Sequence, residues 1–433
     1  MTAADGRVEV WLVGVMAVLV VGSFLLWSSP EYRATSWLLA GVVAAFHARP
    51  RLLPLLPGMG WQGMLVAAGL IVAQGASWLG GLLHGESLPM ACGRGLAGML
   101  GVLGIAVFTV LLLEPRWKVS SKRMGLGILA LLLGGSYAGF FIGIERFFEL
   151  GRYEFQFDQL RMALIWPTRL LTWPLGQIPW EHTNYAAYYF ALALALVLEH
   201  LGKGGKGRRW WCLCLVLGVA VFLTASRNGW LMIGIALPLV LAGRKPAFGL
   251  RILALFAGVV LLGFGCLKTR LALVPPAGEG AAVVLGTHGS DLLERGSAGR
   301  LIIYKLVWQE VRQTPLCGLG LQAVGREAGF LEHEHSVFIA TLRGGGLIGL
   351  AGHLLVIAGA ACSAVSLMKR GIRWPAVLLF TAMGGLFFER SSVLLLSGHI
   401  EFIIHWIAVS VPLVISGRMA VRNHGWTRRG TSQ

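Results

Sequence analysis

The chain has 433 residues, 56% of them hydrophobic and only 13% charged, with a mean hydropathy of +0.71. A soluble domain carries about 25% charged residues, so a soluble globular enzyme and a disordered scaffold are both excluded. The net charge of +17 invites a nucleic-acid reading, but the basic residues are dispersed between apolar runs and form no single tract. They read as topology signals and as partners for anionic membrane lipids, with no nucleic-acid partner.

Apolar runs of about 20 residues, each long enough to cross a hydrocarbon layer of roughly 30 Å, recur from end to end. The chain is therefore predicted to be all-α, a polytopic integral membrane protein with a single transmembrane domain over 1–433. Helices are expected near 8–27, 34–47, 62–83, 92–113, 124–143, 184–201, 210–224, 228–242, 250–267, 345–367, 374–388 and 397–417, which makes 12 spans. The first run is too long for a cleaved signal peptide and no small-residue cleavage site follows it, so it is read as a retained helix. The 16 Trp suit the membrane interface, where an indole keeps one edge in lipid and one in water. Cys92, Cys212, Cys214, Cys266, Cys317 and Cys362 are scattered without a CxxC pair, so neither a zinc site nor a disulfide framework is indicated.

Loop charge tests the span count. Alternate connections carry Arg49 and Arg51; Arg116, Lys118, Lys122 and Arg123; Lys203, Lys206, Arg208 and Arg209; Arg244, Lys245 and Arg251; and Lys369, Arg370 and Arg373. The intervening short connections hold single basic residues, Arg33, Arg94, Arg227 and Arg390. By the positive-inside rule both termini are then cytoplasmic and the number of spans is even. Two connections are long, near 144–183 and 268–344, and both fall on the external side. Excess loop length on one face is where function concentrates, since a connector needs only a few residues. The second loop contains Pro275, Pro276 and a Gly/Ala run, then an amphipathic helix over 300–313, with Ser297 as its N-cap and Thr314-Pro315 as its stop.

Acidic residues are scarce. The only Asp are Asp5, Asp158 and Asp291, so no DxD pair or carboxylate cluster is available to hold Mg²⁺ against a diphosphate. The Gly-rich stretches at 203–207 and 344–346 lack P-loop spacing, and with 60 Gly in the chain close helix packing accounts for most of them. An external face that handles phosphates must use Arg and Lys. Ser226-Arg227 lies at the outer end of a helix pair; Arg227 is either a cation snorkelling to the interface or a ligand-holding residue. Arg300 falls in the first turn of the amphipathic helix, where it opposes the helix dipole but where backbone N–H groups and a guanidinium together suit a phosphate. Lys305, one turn on, shares that face or is simply solvated.

The run Glu332-His333-Glu334-His335-Ser336 stands where the second loop re-enters the membrane. Imidazole suits a general base near neutral pH. Two His at i and i+2 point to different sides of a helix and lack the i, i+4 spacing of helical zinc ligands, which argues against a metal site. His182-Thr183-Asn184 closes the first loop at the same depth, with Thr183 or Asn184 capping the helix as the structural alternative. No carboxylate or His stands out at mid-bilayer, where a proton-coupled transporter usually needs one.

At these residues the chain resembles the O-antigen ligase family, bacterial membrane proteins that join O-antigen to lipid A–core. His182-Thr183-Asn184-Tyr185-Ala186-Ala187 looks like the family's Asn-x-x-Ala helix start, and Ser226-Arg227 like its Ser-Arg helix start. Arg300 through Trp308 to Pro315-Leu316-Cys317-Gly318-Leu319-Gly320 is similar to its Arg…Pro-x-x-Gly-x-Gly segment. His335-Ser336-Val337-Phe338, followed by a Gly-rich helix, is similar to its His-Asn-x-aromatic motif. The resemblance covers roughly residues 180–350. It departs at Ser336, where Asn is usual; a hydroxyl cannot donate and accept through two separate atoms as an amide does.

The resemblance implies a GT-C-like helical fold and an inverting glycosyltransferase that needs no metal or other cofactor. The donor would be O-antigen on undecaprenyl diphosphate and the acceptor a sugar hydroxyl of lipid A–core. The two long loops and the active site would then be periplasmic, on the inner membrane of a Gram-negative cell. His335 is the expected general base, with Arg227 and Arg300 holding the diphosphate. His333, Glu334, Ser336, Asn184, His182, Lys305 and Arg161 are candidates for support, and His333 competes with His335 as base. An O-antigen polymerase or related oligosaccharyltransferase would use the same donor and the same cations. A polysaccharide or lipid transporter is the alternative from outside catalysis.

Overall fold

The computed structural model describes residues 59–112, 183–204, 207–223, 226–273, 300–321, 336–387 and 400–430. Among them the chain is all-helical: α1 (Gly60–Leu83), α2 (Leu88–Leu112), α3 (Thr183–Gly202), α4 (Arg208–Leu223), α5 (Arg227–Leu241), α6 (Pro246–Leu273), α7 (Arg300–Val311), α8 (Val337–Lys369), α9 (Trp374–Leu386) and α10 (Ile400–Gly430). The spans expected near 8–27, 34–47 and 124–143 and the loop near 144–183 lie outside the described residues, save that α3 starts at Thr183. Three of the helices, Gly60–Leu83, Pro246–Gly263 and Val337–Lys369, are long and apolar enough to cross a membrane. The boundaries that differ most from the hydropathy reading are the start of α8, at Val337 rather than near 345, and the ends of α10, at Gly430 rather than near 417, and of α6, at Leu273 rather than near 267.

The side-chain pattern is that of helices packed in lipid. α1 buries Gly69, Ala73, Ala76, Ser77, Gly80 and Gly81 and leaves Trp61, Met64, Ile71, Trp78, Leu79 and Leu83 on its outer face. A water-soluble amphipathic helix does the reverse. Lipid tails are as apolar as Leu, so burial of large side chains gains nothing there, and small residues that let backbones approach carry the packing. A Cβ on Gly352 would stand 2.6 Å from both Ala73 N and Gly69 O, and one on Gly359 would stand 2.6 Å from Gln62 O. α1 and α8 therefore run antiparallel in near-backbone contact.

The chain divides into two compact units. In the first, α8 packs on α1, α9 and α10, and α10 also contacts α2. α9 is buried over nearly its whole length, as a helix that is apolar all round must be. In the second unit α3 is central, buried almost throughout from Ala187 to Glu199, with α4 and α5 against it and α6 against α4.

One ion-pair cluster ties helix ends in the second unit. The Arg244 guanidinium donates to Gly202 O at 2.5 Å, Val240 O at 3.3 Å and Glu199 Oε2 at 2.9 Å. It thus satisfies terminal carbonyls of α3 and α5, where a cation also complements the helix dipole. Lys203 Nζ stands 3.3 Å from the other Glu199 oxygen. Glu199→Ala would leave the Arg244 charge without its carboxylate in a largely desolvated place. Breaking such a pair from one side costs roughly 3–5 kcal/mol when fully buried. The carbonyl bonds remain, so the lower end is expected, read as a lowered unfolding temperature in detergent.

Candidate active site

Two of the motifs meet inside the second unit. Ser226 is fully buried and caps α5, its Oγ accepting from Gly229 N at 3.4 Å. That cap fixes Arg227 as the first helical residue, in line with the Ser-Arg helix start read from sequence. Gly229 lies against α3: a Cβ there would come within 3.1 Å of Ala187 Cβ and of Val221 Cγ1. Ala187 is the alanine of the Asn184-x-x-Ala187 start. The small residues of both motifs thus serve one purpose, letting the first turns of α3 and α5 lie side by side with Asn184 and Arg227 at their heads. For Asn184, Arg227 and Arg300 the backbone alone is described, at positions two, one and one of α3, α5 and α7.

The first unit holds the second half of the motif set. On α7, Val307 and Val311 are buried against Leu342, with Tyr304, Ile339 and Leu350 around them, while Lys305, Trp308 and Gln309 are exposed. The expected amphipathic helix is present, ending at Val311 rather than near 313. Lys305 takes its place on the exposed side.

α8 is two helices in one. Gly346 has φ 60° and ψ −159°, a region essentially restricted to glycine, and the chain breaks there. The short half, α8a (337–345), folds back along the start of the long half, α8b (347–369). The Phe338 ring packs on His353 at 5.8 Å, and a Cβ on Gly349 would lie 3.6 Å from Thr341 O. The hydropathy reading near 345 found the start of α8b and missed α8a. The reason is that hydropathy measures apolar content, not the path of the backbone.

A broken helix leaves carbonyls unpaired on one side and N–H groups on the other. The Pro315-Leu316-Cys317-Gly318-Leu319-Gly320 turn supplies both. Leu319 N and Gly320 N donate to Arg343 O and Gly344 O at 2.8 and 2.9 Å, and Leu347 N and Ile348 N donate to Pro315 O and Leu316 O at 2.8 and 3.1 Å. We call this turn the clasp. It lies so close that a Cβ on Gly318 would stand 2.5 Å from both Arg343 O and Gly346 N. Gly80 and Gly81 of α1 press on its other side. Glycines at 344–346, read from sequence as helix packing, are thus the seat of the break and the clasp.

Ser336 is the N-cap of α8a and 4% exposed, yet its hydroxyl makes no capping bond. It stands directly after His335. His335, His333, Glu334, His182 and Arg161 lie outside the described residues.

Two features escaped the sequence reading. Arg343, 5% exposed, donates from Nε to Glu310 Oε2 at 2.7 Å and from Nη2 to Oε1 at 3.3 Å, a two-bond fork from α8a to α7. The signal for it was an Arg within an apolar run, six residues into a helix start, beside three glycines. The second is a pair of histidines. His353 on α8b and His405 on α10 are wholly buried and stacked at 5.3 Å, and no ring nitrogen of either has a hydrogen-bond partner among the described residues. The sequence reading, in which no carboxylate or His stands out within the spans, passes over this pair. Histidines isolated in otherwise apolar runs did not register as a pair, because one comes from each of two helices far apart in the chain.

Apolar helices with large side chains on their outer faces and small residues at their contacts define a membrane-embedded helical protein. Residues 212–354 match the family model described as O-antigen ligase, and this segment runs from α4 through Ser226-Arg227, Arg300, the clasp and His335 into α8b. That segment, about a third of the chain, is similar to the O-antigen ligase family. No match to a curated protein was found.

Proposed function

We propose that the protein is an O-antigen ligase of the Gram-negative inner membrane, with GT-C-like architecture, both termini cytoplasmic and its active site periplasmic. It transfers O-antigen polysaccharide from undecaprenyl diphosphate to a sugar hydroxyl of lipid A–core. The observation that carries this reading is the family match over 212–354 on a segment that holds the Ser-Arg start, the Arg300 helix, the clasp and His335 in order.

The chemistry follows from charge. As the glycosidic bond breaks, the lipid diphosphate leaves with developing negative charge that a cationic, preorganised site stabilises. Arg227 and Arg300 supply it, each at the first turn of a helix whose N–H groups point the same way. The acceptor hydroxyl loses its proton to His335 as it attacks. Attack from the face opposite the diphosphate inverts the anomeric centre. Ser336, Asn184, His182, His333, Glu334, Lys305 and Arg161 are the candidates for supporting the site. The reaction needs no metal.

The test is transfer by purified protein in EDTA, with undecaprenyl-diphosphate-linked O-antigen and lipid A–core. Product dependent on both substrates supports ligation. Lengthening of the lipid-linked O-antigen without acceptor makes the protein a polymerase, and a divalent-ion requirement sinks the metal-free step. Arg227→Lys and Arg300→Lys keep the charge but lose the guanidinium fork, so each is expected to lower turnover on the order of 10²-fold. Near-normal rates in both would leave them as interface anchors.

The His353–His405 pair favours one second reading, a proton-coupled carrier, since such carriers place titratable groups inside the bundle. That reading predicts loss of function in His353→Leu and retention in His335→Ala.

A further inference from the structure

We infer that the Arg343–Glu310 fork is a positioning device for the transfer reaction: it fixes α7, the helix that begins at Arg300, against α8a, the half-helix that begins two residues after His335. The inference rests on the proposed function and adds to it a residue pair that touches neither substrate.

Apolar packing alone does not set this geometry. Val307 and Val311 on α7 meet Leu342 on α8a, and such contacts are non-directional, so the helices can slip or roll against one another at little cost. A two-bond guanidinium–carboxylate fork has a fixed plane and fixed direction. Arg343 supplies it from a site 5% exposed, and Glu310 meets it from a side chain about one third exposed. A buried ion pair adds little net stability over an apolar pair of the same volume, which leaves register as its contribution.

Arg343 holds through both its side chain and its carbonyl, and the two attachments close a circuit. Its side chain holds α7 near that helix's C-terminus, and its carbonyl takes the N–H of Leu319 in the clasp. The clasp is the chain that leaves α7 after Val311. α7 is therefore pinned to α8a through a side chain and again through its own continuation. Neither the rotation of α7 nor its position along α8a is free, and with them the head of α7 is set relative to Ser336.

The alignment of a diphosphate cation with a base matters to the rate because a displacement of about 1 Å in reacting groups can cost 10²-fold. Arg343→Lys and Glu310→Gln are therefore expected to lower kcat at least tenfold in the purified transfer assay, with KM for donor and acceptor within twofold of wild type. Arg343→Lys keeps a cation opposite Glu310, so its unfolding temperature in detergent should move little, whereas Glu310→Gln leaves the Arg343 charge without its carboxylate and should lower it; kcat is therefore compared well below the unfolding transition. Combined, the two substitutions should lose no more than the worse single one, since both cut the same fork.

Wild-type rates in both single variants would overturn the inference. So would losses that multiply in the double variant, or a kcat loss that only tracks a fall in unfolding temperature. If Arg343→Lys fails to fold, Glu310→Gln, isosteric and partly exposed, decides alone: a kcat loss with KM held supports the fork and a normal kcat ends it. A wild type inactive in both transfer and O-antigen lengthening fails the functional reading itself and takes the positioning role with it. A wild type that turns over beside unaffected variants fails the positioning role alone.

Discussion

Replacing His335 by Ala is expected to abolish glycosyl transfer while the protein folds and inserts normally. A positioned general base contributes about 10²- to 10⁴-fold, and a sugar hydroxyl is a poor nucleophile until its proton has somewhere to go. The fold has independent holds on the segment that follows. Ala340 N donates to Ser336 O at 2.9 Å, Phe338 packs on His353 and on Phe387 at 4.8 Å, and the fork and clasp anchor residues 343 and 344. None of these uses the imidazole of His335. The measurement is single-turnover transfer with donor and acceptor saturating, beside His333→Ala. Loss in His335→Ala with near-normal His333→Ala assigns the base; the opposite pattern moves it to His333. Activity in both removes the acid–base step from this motif and leaves transfer to be driven by stabilisation of the leaving diphosphate alone.

The sequence carried the helices well and their partnerships badly. Long apolar runs made α1, α2 and the helices from α3 to α6 legible, because nothing but a helix satisfies its own backbone in lipid. The motif starts were legible as motifs: Ser226 does cap α5, and α7 does begin at Arg300. What could not be read was why the motifs contain small residues. The Gly229 contact with Ala187 joins positions 42 apart, and Arg343 meets Glu310 across 33 residues. A single sequence shows an Arg among glycines, and only the fold shows the carboxylate it faces. The same limit hid His353 and His405, each of which alone looks like one polar residue tolerated in a span.

The Pro-x-x-Gly-x-Gly segment and the Gly-rich helix show the gap most clearly. In the sequence each has a separate and ordinary reading, Thr314-Pro315 as a helix stop and the glycines as close helix packing. Together they form one object, in which the first supplies four hydrogen bonds to the break in the second, two on each side of it. The physical demand is complementary: a broken helix in an apolar surround is untenable without an external donor and acceptor set, and a turn of bare backbone is untenable without a partner. The two motifs stabilise each other.

Gly346→Ala tests that dependence and should be strongly destabilising. Two costs coincide at this position. The backbone at φ 60°, ψ −159° is one that an L side chain occupies at about 1–3 kcal/mol. The added methyl would also stand 2.6 Å from Gly318 N and run into the Leu316 carbonyl, and overpacking typically costs about 1–3 kcal/mol more. Neither can relax alone, since moving the clasp breaks four hydrogen bonds that have no water to replace them. Gly75→Ala is the matched control: it sits in α1 with nothing within 4 Å of the new methyl, where Ala is better than Gly by roughly 0.5–1 kcal/mol. Thermal unfolding in detergent should therefore move in opposite directions for the same chemical change. Transfer should fall in Gly346→Ala even below its unfolding temperature, because a loosened clasp frees α7 from α8a and with it the head of the helix where Arg300 stands. Equal stability of the two variants would mean that the clasp closes on a break the chain can straighten, and the account of α8 as two helices would have to be given up.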